Sequence, residues 1–261
     1  MASWNPAQYG TFLEWRTQPS RDLVHRIELA APHRIIDLGC GPGNSTQVCA
    51  ARWPTASILG LDNSPEMIEA ARSTYPNTQF EVDDIKMWAY RPSTPDTPID
   101  LIFSSAALQW IENHADTFPR LLGKLAPGGV LAAQMPAYDA LPNQTMRELA
   151  ANERWRKWFP KGRAAEWRSH PLEFYYTVLA RQAKRLDLWQ TDYLHPMQSV
   201  QGIVDWYTST GLRPYLDRIT DETARQDFLQ EYSDKLKPLF PASEAGGVPF
   251  LFRRIFIVAH V

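Results

Sequence analysis

Ile35-Ile-Asp37-Leu-Gly39-Cys-Gly41-Pro-Gly43 reads as a buried β-strand that turns through a glycine-rich loop into a helix. Glycines at alternate positions let the backbone turn tightly, and a ligand can lie against them without meeting a Cβ. In an open parallel sheet, ligands bind beyond the C-terminal strand edge, where such a loop sits. Asn44 stands where a dinucleotide-binding fingerprint carries its third glycine. Asp62 follows Gly41 by 21 residues, at the end of Ile58-Leu-Gly-Leu, and an acid there can accept two hydrogen bonds from a ribose diol. Phe80-Glu-Val-Asp83-Asp84-Ile85 ends a third strand with carboxylates at the same edge. A glycine triplet alone marks a tight turn; joined by both acids at these spacings, it predicts a nucleoside cofactor site.

Outward from this loop, β-rich runs alternate with amphipathic stretches. The runs are Arg34–Leu38, Ser57–Leu61, Gln79–Val82, Ile99–Phe103 and Gly129–Ala133. Helices are expected at Asn44–Arg52, Pro65–Arg72 and Thr117–Leu125. Ser64 is placed to cap the second, with Pro65 in its first turn, and Ala126-Pro-Gly-Gly129 breaks the third. Strand, helix, strand at these spacings implies right-handed crossovers and a parallel sheet covered on both faces, an α/β doubly wound fold. Ahead of it, Trp4–Leu29 reads as one or two short helices. After the fifth strand, Asn143–Trp158, Pro171–Leu186, Val200–Thr210 and Asp221–Leu236 read as helices. Asp187–Tyr193 alternates as a sixth strand, with Trp189, Thr191 and Tyr193 on one face, and Arg253–Ala259 is a terminal strand. The segments on either side of the sixth strand are too long for simple connections and are expected to form a helical cap over the sheet.

Composition narrows the function classes. The chain has 261 residues, 44% apolar and 21% charged, which fits one large domain or a domain with a substantial insertion and excludes wholesale disorder. Its 27 Lys and Arg against 29 Asp and Glu leave a formal charge of −2, without the basic excess of a phosphate-backbone binder. No apolar run reaches the roughly 20 residues of a membrane span. The start, Met1-Ala-Ser-Trp-Asn-Pro-Ala-Gln-Tyr9, lacks the basic and apolar regions of a secretory signal. Cys40 and Cys49 are the only cysteines and make no CxxC, which argues against a disulfide framework or zinc cluster and for a reducing, cytoplasmic setting. Aromatic residues reach 12%.

The constellation from residue 34 to 135 resembles the class I S-adenosylmethionine-dependent methyltransferases, including Asp100-Leu-Ile-Phe-Ser-Ser-Ala106 and Leu125-Ala-Pro-Gly-Gly-Val-Leu131. The resemblance implies a seven-stranded Rossmann-like methyltransferase sheet with a helical substrate cap inserted after strands five and six. The core would comprise residues 1–135 with strands near 187–193 and 253–259, and the cap 136–186 and 194–252. It implies that the loop carrying Gly39, Gly41 and Gly43 holds the methionine portion of S-adenosylmethionine, with Asp37 organising the loop. Asp62 would hold the ribose hydroxyls and Asp84 the adenine amino group. Ile85 and Asn63 would flank the ring, and Ser104 and Ala106 the methionine end. Trp4–Tyr9, Gly41–Thr46, Asp62–Met67, Ala106–Trp110, Gln134-Met-Pro136 and Thr210–Pro214 together resemble the trans-aconitate 2-methyltransferase family. That resemblance implies a monomethyl ester on a carboxylate of trans-aconitate, with S-adenosylmethionine as donor. With the composition above, the expected partner is a small tricarboxylate, without nucleic acid, membrane or metal, and the chain is expected to be a monomer or weak homo-oligomer.

A carboxylate is already ionised at neutral pH, so its esterification needs no general base. The site must hold the nucleophile in line with the methyl group and exclude water. Gln109, Trp110 and Tyr9 are the expected positioning residues, and an aromatic, water-poor pocket would favour the loss of charge. Arg16 could close the pocket from the N-terminal segment, whereas His114 is expected on a solvent-facing helix surface. Substrate anchors are expected among Arg213, Arg254, Tyr175, Tyr176 and Tyr193. The stretch from Arg154 to Arg185 adds nine basic residues against Glu166 and Glu173. Alternative readings are a methyltransferase for another small acid, for a phenol or quinone with His170 or His195 as base, or for tRNA. A non-enzymatic S-adenosylmethionine-binding protein is a further alternative, although none of the cofactor motifs is broken.

Overall fold

Strands β1 (Arg34–Leu38) and β4 (Ile99–Ser105) lie at the centre of a seven-stranded sheet in the computed structural model, which describes residues 12–92, 97–137, 139–162 and 169–261. The other strands are β2 (Ser57–Asp62), β3 (Gln79–Val82), β5 (Leu125–Pro136), β6 (Arg185–Met197) and β7 (Val248–His260). Their order is β3-β2-β1-β4-β5-β7-β6, with β7 antiparallel to both neighbours and the remaining pairings parallel. This is the doubly wound arrangement expected from the alternating pattern.

Successive residues of a strand point to opposite faces, so a central strand needs apolar residues at nearly every position. Ile35, Leu101, Val130 and Phe256 join a core with α1 (Leu13–Arg26) and α2 (Asn44–Arg52). Their neighbours Ile36, Ile102, Leu131 and Ile257 join another with α5 (His114–Leu122) and α7 (Leu172–Leu179). Helix α3 (Pro65–Thr74) begins as its sequence predicts: Ser64 Oγ accepts from the Met67 N–H, and Pro65 occupies the first turn. Helix α4 (Ile85–Tyr90), unanticipated, is capped by Asp84, whose carboxylate accepts from the Met87 N–H.

Several expected boundaries move, each for a visible reason. Ala126-Pro-Gly-Gly129 does not separate the helix of the β4–β5 crossover from its strand. It forms an irregularity within β5, where the register passes from Ile99↔Leu125 to Leu101↔Val130. The helix expected over 143–158 divides into α6 (Leu141–Ala151) and a 3₁₀ turn, Glu153–Trp155, because extended Asn152 accepts from the Arg154 N–H through its own side chain. The helix expected over 171–186 stops at Leu179, since Arg185 and Leu186 are drawn into the β6 ladder opposite His260 and Ala259. That α7 helix packs on the main sheet through Tyr175 and Leu179 rather than joining a cap.

Antiparallel strands β6 and β7 pair over 13 residues each, but β5 accompanies β7 only from Arg254 to His260. The remaining half, Asp192–Met197 against Val248–Arg253, continues past the end of β5. It is covered by α6, α8 (Val200–Thr208), the short α9 (Arg213–Leu216) and α10 (Glu222–Leu236) in a separate apolar core. That core accounts for much of the aromatic excess. Trp155 meets Phe228 edge-on at 4.9 Å, and Trp206 meets Phe252 at 5.3 Å.

Phe256 is fully buried where β7 crosses the sheet and stacks on Trp189 with centroids 4.7 Å apart. Phe256→Ala is expected to lower stability by about 3–5 kcal/mol, read as a lower urea midpoint with an unchanged slope.

Candidate active site

The loop after β1 is fixed from below by a buried carboxylate. Asp37 Oδ2 accepts from the hydroxyls of Ser45 and Thr46, both at 2.6 Å, tying the end of β1 to the first turn of α2. Burial pushes this carboxyl up to about 6 against the pull of those two hydrogen bonds, and the charge of Asp62 adds to the rise. Asp62 bridges the loop from β2, accepting from the Gly41 N–H at 3.0 Å and from the Ser64 N–H at 2.9 Å. Burial raises its carboxyl too, opposed by those backbone donors. Gly39 has φ +73°, and a Cβ there would stand 2.1 Å from that of Ala107. At Gly43, φ +93°, a Cβ would strike the Tyr75 ring at 2.8 Å. Both positions require glycine for the turn and for the close approach.

A cavity of about 530 Å³ opens above this loop, within the range that holds a small-molecule ligand. Gly39, Gly41, Asp62, Asn63, Asp84, Ile85 and Ala106 all line it, as the sequence predicts, and so does Trp110. Ala106 takes φ +55°, uncommon for a residue with a side chain and concentrated at functional turns. The opposite wall comes from α1, through Arg16, Thr17 and Ser20. Arg16 is itself held by Ser209 Oγ at 2.6 Å and the Trp206 carbonyl at 3.3 Å, so it joins α1 to the end of α8.

Other expected residues lie elsewhere. Asp37 and Gly43 support the loop from outside the cavity wall. Ser104 is buried on the other face of β4 and donates to the Leu38 carbonyl; the alternation of the strand gives its place on the wall to Ser105. Gln109 turns back to donate to the Ala106 carbonyl at 2.6 Å, bracing the turn without lining the cavity. Tyr175 is fully buried in the sheet core, Tyr176 is 62% exposed, and Tyr193 donates to Asp22 on α1. Arg254 is buried, with Nη1 donating to Gln134 Oε1 at 2.9 Å. Arg213, on α9, is close enough to Glu66 to lower its carboxyl, although the Ser64 hydroxyl contributes most to that shift. Tyr9, Arg163, Glu166 and Arg168 lie outside the described residues.

The basic stretch does not converge on the cavity. Arg154 pairs with Asp227 and Glu231, Arg185 with Glu28, and Lys157 lies over the Trp158 ring. Of the expected aromatic lining, Trp110 is the one aromatic on the wall among the described residues. His170 and His195 do not line it either. His195 is sandwiched between Trp15 and Trp206, and burial, with the charge of Arg254, lowers it to about 4. Among the described residues no group of three or more His, Cys, Asp and Glu could hold a metal ion, and no helix is long and apolar enough to cross a membrane.

His114 corrects its expected place most sharply. It is buried, not solvent-facing, with Nε2 2.8 Å from the Leu108 carbonyl and Nδ1 2.8 Å from Tyr175 Oη. A carbonyl only accepts, so Nε2 carries a proton and bonds the turn that bears Trp110. Polar residues inside an apolar helical stretch can mark such a buried bracket, but the partner, Tyr175, is 61 residues away in sequence.

Comparison with known proteins is consistent along the whole chain. The methyltransferase domain family matches residues 12–216. A protein named trans-aconitate 2-methyltransferase from Methylobacterium radiotolerans is 44% identical, covering 100% of this chain and 99% of its own length. One of the same name from Variovorax paradoxus is 42% identical with the same coverage. Among solved structures, the YcgJ protein of Bacillus subtilis shares the fold at a TM-score of 0.55, with 16% identity and 98% of each chain covered.

The buried Asp37 gives a pH signature. Its native pKa lies above the unfolded value of 3.8, so the native state holds the proton more tightly, and stability falls as pH rises from about 4 through about 6. Asp37→Asn removes that titration. Relative to the variant, the parent protein is expected to lose several degrees of melting temperature between pH 4 and 7 in a thermal melt series.

Proposed function

Because the chain belongs to the trans-aconitate 2-methyltransferase family of methyltransferase-domain proteins, we propose that it forms a monomethyl ester on one carboxylate of trans-aconitate, with S-adenosylmethionine as methyl donor. The observation that carries this reading is the polarity of the cavity, lined by the carboxylates Asp62 and Asp84 at the ends of β2 and β3 and by the cation Arg16 and the hydroxyl of Ser20 on α1. The residues present fit the donor molecule. Gly41, where a Cβ would meet nothing within 4 Å, leaves the loop open to close approach, and Asp62 faces the cavity with hydrogen-bonding capacity beyond the Gly41 and Ser64 N–H groups. In this reading Asp62 accepts from the ribose hydroxyls. Asp84 receives the adenine amino group on the oxygen not committed to capping α4, and Ile85 and Asn63 enclose the ring.

When bound, S-adenosylmethionine supplies an electrophilic methyl group on a positively charged sulfur. The work left to the chain is to orient an acceptor carboxylate toward it at roughly 3–3.5 Å and to keep water away. No residue need remove a proton, because the acceptor is ionised at neutral pH. Arg16 and Lys86 are the cations on the wall among the described residues; Lys86 is paired with Glu112, and Arg16, pre-oriented by Ser209 and the Trp206 carbonyl, offers its positive charge to the acceptor.

The direct test is transfer of labelled methyl groups to a panel of tricarboxylates, read as base-labile ester. Saturable labelling of trans-aconitate in preference to cis-aconitate, citrate and isocitrate is expected; tight donor binding with no ester on any acid overturns the substrate. Asp62→Ala is expected to weaken donor binding by about tenfold or more, measured by calorimetry, since it removes charge-assisted acceptors from both ligand and loop.

A further inference from the structure

We propose that Ser20 and Ser105 form a hydroxyl donor that grips a carboxylate of the acceptor, with Gln134 and Arg254 as positioning residues that fix its direction. The inference rests on the reading above that the acceptor is a carboxylate.

Ser105 ends β4 and Ser20 lies on α1; both line the cavity, and their Oγ atoms are 2.7 Å apart. Behind them runs a buried chain across β5 to β7. Arg254 Nη1 donates to Gln134 Oε1 at 2.9 Å, and Gln134 Nε2 donates to Ser105 Oγ at 2.6 Å. A guanidinium can only donate, so the Gln134 amide must turn its oxygen to Arg254 and its NH₂ to Ser105. Ser105 Oγ is thereby committed as an acceptor from behind.

The two serines own two hydroxyl protons. One is spent in the bond between them. The other meets no protein acceptor among the described residues, whichever serine donates to the other, and it sits at the cavity wall. The pair therefore offers one O–H to a ligand, and that ligand atom must be an acceptor. Arg16, one helical turn before Ser20 on α1, adds positive charge at the same wall. Asp62 and Asp84 disfavour an anion beside them, and the remaining charges on the wall among the described residues, Lys86 and Glu112, are paired with each other at 3.4 Å. An anionic oxygen is thus best held at the Ser20–Ser105 end. Ser105, not Ser104, is the polar group that β4 contributes to the ligand. Arg254 acts on it from behind, without touching the acceptor.

The test is calorimetric titration of trans-aconitate into the full chain saturated with S-adenosylhomocysteine, alongside titration of S-adenosylhomocysteine itself and steady-state kinetics. Ser105→Ala is expected to weaken trans-aconitate binding, and raise its KM, by about tenfold, with S-adenosylhomocysteine affinity held within about twofold. Ser105→Thr keeps the hydroxyl and is expected to recover most of the loss. Gln134→Glu gives Arg254 a carboxylate partner and takes the Ser105 proton for itself. It should therefore lower acceptor affinity at least as far while the melting temperature is kept, and it decides the matter if Ser105→Ala fails to fold. Lost S-adenosylhomocysteine affinity with an unchanged acceptor KM would assign the site to the amino-acid carboxylate of the donor and overturn the proposal. Acceptor binding unchanged in Ser105→Ala and Gln134→Glu overturns it as well. If the parent protein binds no tricarboxylate at all, the substrate reading itself falls, an outcome distinct from both.

Discussion

The two-sided pairing of β7 is the constraint on which the rest of the architecture depends. From Arg254 to His260 it is bonded to β5 on one side and β6 on the other, antiparallel to both. This places an apolar strand in the sheet interior and gives each face a further layer of side chains, Phe256 and Val258 on one and Ile255 and Ile257 on the other. The same strand extends beyond the end of β5 with β6, and the separate core of α6, α8, α9 and α10 assembles on that extension. Arg254 stands where the two regimes meet, opposite both Pro136 and Thr191.

The ligand loop works by a different economy. Two carboxylates, Asp37 and Asp62, are held close to the same glycine turn, one beneath it and one across it. Their partners are hydroxyls and backbone N–H groups, not cations. Such a site stores electrostatic cost: burial raises both carboxyls, and each hydrogen bond recovers part of it. The cost is borne where the loop must be rigid and, at Asp62, where the hydroxyls of a ligand can add to the compensation.

Much of this was legible in sequence because it is local. Gly39, Gly41, Asp62 and Asp84 declare themselves by spacing within single strand–turn–helix units, and the alternating β-rich runs declare the sheet. The less legible parts depend on pairings far apart in the chain. The true extent of β6 is set by the ladder with β7, not by its own alternation, so its residues beyond Asp187–Tyr193 carried no signal of their own. Ser104 and Ser105 are indistinguishable by composition, and only the phase of β4 decides which faces the ligand. Arg154, Arg185 and Lys157 looked like anchors until acids and a ring from other segments were seen beside them. His114 and Tyr175 reveal their bond only when α5 and α7 are packed together.

The interior place of β7 also bears on how the chain is made. It is the last of the seven strands in sequence, yet it fills a slot between two that precede it. During synthesis β5 and β6 therefore wait with unmet backbone edges, and the apolar faces that will receive Phe256 and Ile257 stand open, a state prone to pairing with other chains. Its contacts join residues as distant as Val130 and His260, so the closing step is a long-range one. Insertion of β7 both completes the sheet and retires its most aggregation-prone surface.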